Sequence, residues 1–333
     1  MRAVVLTAPG PIDSARLEMR EVPVPEPGPG QVRVRVRRCG VCHTDLHIAE
    51  GDLPPVRLPV VLGHQVVGVV DRLGPGVTAP APGTRVGVAW VGGTCGVCAH
   101  CRRGEENLCE DLVFTGYHQD GGYADYLIAR ADFVYPLPDG FDDDRAAPLL
   151  CAGIIGYRSL RVSGVQPGER LGLFGFGASA HLAIQVARHW GCEVYVFTRS
   201  PARRRLAEDL GAAWVGGPDD VPPAELDAAV VFAPSGRVVV EALRRLRRGG
   251  TVAINAVYLD PLPPLDYRLL YWERAVRSVS NSTRRDGREF LELAARIPVR
   301  VDVQTFSLPE ASRALVALKR GEITGAAVLV VEG

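Results

Sequence analysis

The sequence predicts an α/β fold in two parts, a β-rich domain followed by a doubly wound parallel sheet. Three observations predict it. The chain has 333 residues, which at ~150 residues per domain means about two domains. Up to about residue 155 it is rich in Gly and Pro, with short β-branched runs between turn signals. From about residue 156 apolar strand patterns alternate with helical spacing, which is how a parallel sheet with crossover helices reads.

In the first part the strands are expected at Gln31–Arg37, Val66–Val70 and Thr84–Ala89. They are separated by turns such as Gly74-Pro75-Gly76 and Ala81-Pro82-Gly83. In the second part strands are expected at Arg170–Phe174, Glu193–Thr198, Leu226–Phe232 and Thr251–Asn255. Helices are expected at Ser179–Trp190, Pro201–Leu210 and Val238–Leu246, the last ending at Gly249-Gly250. Beyond Thr283 come two helical patterns, Arg288–Ala295 and Pro309–Arg320, and a closing strand, Ala327–Val331. The pattern leaves open whether that strand extends the parallel sheet or returns to the first domain.

Composition excludes several classes of function. Lys+Arg and Asp+Glu are 38 each, so the net charge is zero and no basic field exists to attract nucleic acid. No apolar run approaches the ~18 residues of a membrane span. Ala3–Leu6 is too short for a signal peptide, so a cytoplasmic chain is expected. Eight cysteines in such a chain bind metal more often than they form disulfides.

Cys95, Cys98, Cys101 and Cys109 form C-x2-C-x2-C-x7-C on a loop broken by Gly96 and Gly104. Four thiolates at that spacing fit a closed, structural zinc site; an iron–sulfur cluster or two disulfides are the alternatives. Cys42, His64 and Cys151 are metal-ligand types far apart in sequence. From spacing alone each is equally a buried small residue or a structural hydrogen-bonder.

Gly175-Phe176-Gly177-Ala178-Ser179-Ala180 lies between a strand and a helix. Small residues at such a turn let the backbone approach a pyrophosphate at the helix N-terminus. The following strand ends at Thr198, Arg199 and Ser200, with Arg203 one helical turn further, and no carboxylate stands there for a ribose 2′-hydroxyl. Hydroxyls and guanidinium groups favour NADP(H) over NAD(H); solvated arginines are the alternative.

The chain resembles the zinc-dependent medium-chain alcohol dehydrogenase family, in particular its cinnamyl-alcohol-dehydrogenase-like bacterial branch. The matching stretches include Cys39–His47, Gly63-His64-x-x-x-Gly68, the four-cysteine lobe and Asp120-Gly121-Gly122-Tyr123-Ala124. Ala147–Gly153, the glycine-rich turn and Leu210-Gly211-Ala212 match as well. The likeness runs in the family's order through nearly the whole chain.

The resemblance implies a GroES-like catalytic domain (residues 1–155 and 285–333), a Rossmann-type domain (156–284) and an active site in the cleft between them. It implies a catalytic zinc on Cys42, His64 and Cys151, beside the structural zinc of the lobe, and hence two Zn2+ per chain. Thr44 would bond the substrate oxygen, whose proton would pass through the cofactor ribose to His47. Asp45 would orient His64, and His43 would touch the cofactor. Trp90 and Tyr117 would wall the substrate pocket.

The implied reaction is reversible hydride transfer between a primary alcohol and the nicotinamide, in a homodimer or homotetramer without nucleic-acid or membrane partners. An NAD-dependent polyol or amino-alcohol dehydrogenase and a non-catalytic zinc scaffold are the competing readings. Three positions depart from the family pattern. Gln65 replaces the usual Glu, Ala326 stands where many relatives have a pyrophosphate-binding Arg, and Ile155 stands where nicotinamide-binding relatives have Thr.

Overall fold

The computed structural model describes residues 1–331; Glu332 and Gly333, the end of the expected 285–333 segment, lie outside the described residues. The chain divides into two compact units. One comprises Met1–Cys151, Asn281–Arg296 and Val301 onward; the other comprises Ala152–Ser280 and Ile297–Arg300. The divisions fall a few residues before the expected 155 and 285.

The first unit is built on a seven-stranded sheet. Its spine is Gln31–Val41, where Val32, Val34 and Val36 turn inward and arginines alternate outward, the period-two pattern of a half-buried strand. This strand pairs antiparallel with Gln65–Leu73 and Tyr126–Arg130. Arg85–Val88 and Val134–Pro136 continue the sheet. The closing strand, Ala326–Val330, pairs antiparallel with Gln31–Val41 and parallel with Val303–Ser307, so the chain does return to its first domain. A smaller sheet of Arg2–Leu6, Leu17–Glu21 and Val60–Val61 accompanies it. The core is dominated by Val, Leu, Ile and Ala, with Tyr123 fully buried.

The second unit is a six-stranded sheet with every ladder parallel. Its strands in chain order are Arg170–Phe174, Glu193–Phe197, Trp214–Gly216, Leu226–Val231, Leu246–Ile254 and Ala275–Ser278. Numbered 1 to 6, their spatial order is 3-2-1-4-5-6, the arrangement of dinucleotide-binding sheets.

Two of these strands, Trp214–Gly216 and Ala275–Ser278, fall outside the sequence expectation. The expected helix Val238–Leu246 is also corrected. The helix is Gly236–Arg244, and Leu246 already pairs with Leu226 at a bulge. Leu246, Gly249 and Gly250 thus belong to the strand, where a ladder hydrogen bond outweighs helical apolar spacing.

Candidate active site

Cys42 caps the helix His43–Glu50. Its N–H donates to Asp45 Oδ2 at 2.9 Å, and Gly51, at φ +87°, ends the helix. The cap holds Cys42 at the positive end of a helix, which favours a thiolate. Cys151 lies in a π-helical turn, Leu149–Gly153, directly after Pro148. Proline cannot continue the α-helical hydrogen bonding, and such local widenings recur at functional sites.

His64 follows Gly63, whose φ of +96° and contact with the Tyr123 ring exclude a side chain. That turn aims the Gly63 N–H and the His64 Nδ1–H together at Asp45 Oδ1, at 3.1 and 3.0 Å. Because a carboxylate can only accept, Nδ1 carries a proton, and Nε2 is the nitrogen left to face a cation.

His64 is wholly buried, and its Nε2 makes no hydrogen bond among the described residues. This nitrogen and the sulfurs of Cys42 and Cys151 lie within 4.8 Å of one another, the two sulfurs 4.0 Å apart. Cys151 and His64 hold the Cys42 thiol well below its usual range against the opposing effect of burial. Burial pushes the His64 imidazole down, but Asp45 and Cys42 outweigh it and raise it to about 10. A neighbouring Cys42 thiolate and burial push Cys151 well up. Converging soft donors around an orphaned imidazole nitrogen can hold a tetrahedral cation with one position left open.

The four-cysteine lobe closes on itself. Its sulfurs also lie within 4.8 Å of one another, with Cys95–Cys101 at 4.0 Å and Cys95–Cys109 at 3.5 Å. Zinc–sulfur bonds of about 2.3 Å in a tetrahedron put sulfurs about 3.8 Å apart, so the spacing suits one ion. Backbone N–H groups of Cys98 and Cys101 donate to Cys95 and Cys98 sulfurs at 3.4 Å. The N–H groups of Val97 and Cys98 draw the Cys95 thiol down to about 7. Glu106, inside the lobe, takes a paired contact from Arg284 at 2.7 Å, and Arg284 reaches Asp132 at 3.1 Å. The remaining cysteines, Cys39 and Cys192, are buried and unpaired.

Around the three-residue cluster, Thr44 is nearly buried with its hydroxyl 3.7 Å from Cys42 Sγ. Exposed His43 lies with its ring 6.4 Å from that of His47, and His47 Nδ1 pairs with Asp52 at 3.0 Å. The Trp90 indole stands edge-on to His64 at 5.0 Å and stacks on Phe114 at 4.5 Å, with Tyr117 at 6.0 Å. The Tyr117 hydroxyl is fixed on Pro54 O at 2.8 Å. Buried Gln65 packs over Gly40. Ala326 is buried in its strand and brings no cation.

In the second unit Gly175 takes φ +91°, and a Cβ there would meet Ala233. A Cβ on Gly177 would enter open space, so a ligand can approach the start of the helix Ala178–His189 directly. Phe176 and Ala180 are buried and Ser179 half-buried, which braces the turn. Thr198 is buried and Ser200 caps the next helix, while Arg199 is exposed and Arg203 half-buried. Ile154 is buried and Ile155 partly so. Sequence reasoning missed Phe114, Asp52, Asn281 and the Glu106–Arg284 pair. Asp52 lies only five residues from His47, whereas the other partnerships span up to 191 residues and carry no local signal.

A β-rich unit with two cysteine-based metal-ligand clusters, joined in one chain to a parallel sheet of order 3-2-1-4-5-6, defines a medium-chain dehydrogenase. Residues 28–139 match the alcohol dehydrogenase GroES-like domain, and 180–296 match the zinc-binding dehydrogenase domain. The chain is 48% identical to a probable alcohol dehydrogenase of Mycobacterium tuberculosis, over 99% of this chain and 97% of that one. A cinnamyl alcohol dehydrogenase of Sorghum bicolor superposes with a TM-score of 0.89 at 29% identity, covering 98% of this chain and 97% of its own. A thermostable alcohol dehydrogenase of Pyrobaculum aerophilum, solved with cobalt and zinc bound, gives 0.90 at 27% identity, covering 99% of both chains. The chain belongs to the zinc-binding alcohol dehydrogenase family and is an oxidoreductase of the alcohol dehydrogenase type.

Proposed function

We propose that this enzyme interconverts slim primary alcohols and their aldehydes with NADP(H), using two zinc ions per chain. One is held by Cys42, His64 and Cys151, the other by Cys95, Cys98, Cys101 and Cys109. The observation that carries the reading is the buried His64 Nε2, which makes no hydrogen bond among the described residues and faces two cysteine sulfurs. When bound, the zinc acidifies a hydroxyl group and the nicotinamide accepts or returns a hydride.

The residues supply the rest. Asp45 fixes the tautomer and direction of His64. Thr44 bonds the substrate oxygen, and His47, backed by Asp52, moves its proton toward solvent. His43 touches the cofactor. Trp90 and Tyr117 bound the substrate and favour an unbranched chain. The turn Gly175–Ala180 takes the pyrophosphate, and Thr198, Arg199, Ser200 and Arg203 take the 2′-phosphate. Residues 1–155 with 285–333 would act as the catalytic domain, and 156–284 as the cofactor domain.

We also infer a cytoplasmic homo-oligomer. Unpaired cysteines fit a reducing compartment, and no helix among the described residues is long and apolar enough to cross a membrane. The outer strand Ala275–Ser278 follows a segment bearing exposed Tyr267, Tyr271 and Trp272, a surface suited to a second copy.

The deciding experiment measures zinc per chain alongside NADPH and NADH oxidation with a panel of aldehydes. Two zinc ions, one of them lost in His64→Ala together with activity, are expected. One zinc only, retained in His64→Ala, would overturn the proposal.

A further inference from the structure

We propose that Asn281 is a specificity-determining positioning residue, which fixes the orientation of the Trp90 indole and ties that pocket wall to the four-cysteine lobe. The inference rests on the reading of Trp90 as a substrate wall. The Trp90 Nε1–H donates to Asn281 Oδ1 at 3.1 Å, and Asn281 Nδ2 donates to the Asn107 carbonyl at 3.5 Å. The chemistry allows no other sense, since an indole N–H can only donate and a backbone carbonyl can only accept. The amide therefore has both ends committed.

Each end of this link is anchored. Asn107 is 1% exposed and belongs to the short helical turn Glu106–Leu108, immediately before the lobe residue Cys109. Its neighbour Glu106 clasps Arg284, three residues after Asn281. Thr283 and Asp286 bond each other's backbone N–H groups and start the helix Arg284–Arg296. Asn281 itself has φ +51°, a conformation that Asn tolerates better than most residues. Backbone and side chain are both held.

Trp90 needs such a hold. Its indole lies flat on Phe114, with 10° between the planes, and edge-on to His64. Stacking on an aromatic ring is tolerant of a half-turn of the indole, whereas a hydrogen bond is not. Of the two faces-down orientations, only one brings Nε1 to Asn281 and keeps the same indole edge toward the pocket. Asn281 thereby selects the pocket shape, without contact with the reacting atoms being required of it.

The test uses the zinc-loaded full chain with 15N-labelled tryptophan, which has four indole N–H signals for its four Trp residues. The Trp90 signal is the one missing in Trp90→Phe. Asn281→Gly tolerates the positive φ and deletes only the side chain, while Asn281→Asp keeps the acceptor for Trp90. Asn281→Gly is expected to move the Trp90 signal alone, and Asn281→Asp to leave it near its original position. Preference for slim over branched alcohols should fall about tenfold in Asn281→Gly, with kcat on the slim alcohol and zinc content little changed. In the Trp90→Phe background Asn281→Gly should add nothing further.

An unmoved Trp90 signal, an equal loss on every alcohol, or additive effects in the double variant would overturn the proposal. Absence of all alcohol oxidation in the unmodified enzyme would instead defeat the functional reading, and the Trp90 signal would still decide whether Asn281 holds the indole.

Discussion

Asp45 Oδ1 accepts the Nδ1–H of His64 at 3.0 Å, and both side chains are buried to within 1%. The same carboxylate also accepts the N–H groups of Cys42 and Gly63, so three donors depend on two oxygens. Asn in its place has one acceptor oxygen and presents an NH2 group to at least one of those donors. Asp45→Asn should therefore weaken zinc at the Cys42 cluster by about 10- to 100-fold and leave the lobe zinc in place. Chelator competition measures this, and an unchanged affinity would show that Asp45 does not orient the imidazole.

The lobe should behave as a clamp. Cys101→Ser removes one of its four sulfurs, and loss of one zinc per chain is expected. The thermal midpoint should fall by roughly 5–10 °C, the scale of a few kcal/mol. Calorimetry with metal analysis checks it; full zinc retention at an unchanged midpoint would contradict a structural role.

For the cofactor, Arg199→Ala with Arg203→Ala should lower kcat/KM for NADPH by about 10- to 100-fold, the cost of a lost charge-assisted bond. NADH kinetics should hardly change. A wild-type enzyme that prefers NADH would defeat the assignment.

Gln65 packs against Gly40, where an added Cβ would lie 2.8 Å from its amide carbon. With zinc held at the Cys42 cluster as proposed, a neutral residue here would leave the ion more electrophilic and slow ligand exchange. Gln65→Glu should raise turnover and displace the pH–rate profile. Identical turnover and profile in the variant would remove Gln65 from the account.

His118 provides the pH-dependent element. Its Nδ1 accepts the Phe114 N–H at 3.0 Å, and burial holds the imidazole below its ordinary 6.5. The folded chain thus favours the neutral ring. The associated stability is present in full above about pH 6.5 and is lost as pH falls through the depressed value. His118→Phe should flatten that acid limb and cost about 1 kcal/mol at neutral pH. Denaturant melts across pH 5 to 8 check this, and an identical acid slope in the variant would exclude His118.

The alternation in Gln31–Val41 and the strand-glycine-helix run at Arg170–His189 were legible because their periodicity is local. The strand beginning at Leu246 was not, because its place depends on pairing with Leu226. Trp214–Gly216 and Ala275–Ser278 are only three and four residues long, too short for a period to register. The four-cysteine lobe declared itself within fifteen residues, whereas the shared site of Cys42, His64 and Cys151 emerged only through likeness to a family.

Local spacing by itself determined the alternating strand-helix texture of the second unit, the clustered cysteines and the small-residue turn, since each needs only neighbours along the chain. Local spacing left open, and tertiary structure decided, that Cys42, His64 and Cys151 converge, that the final strand joins the first sheet, and that Asn281 meets Trp90. The physical reason is that a coordination sphere or a buried hydrogen bond is satisfied by distance in space, and separations of many tens of residues leave no periodic trace in sequence.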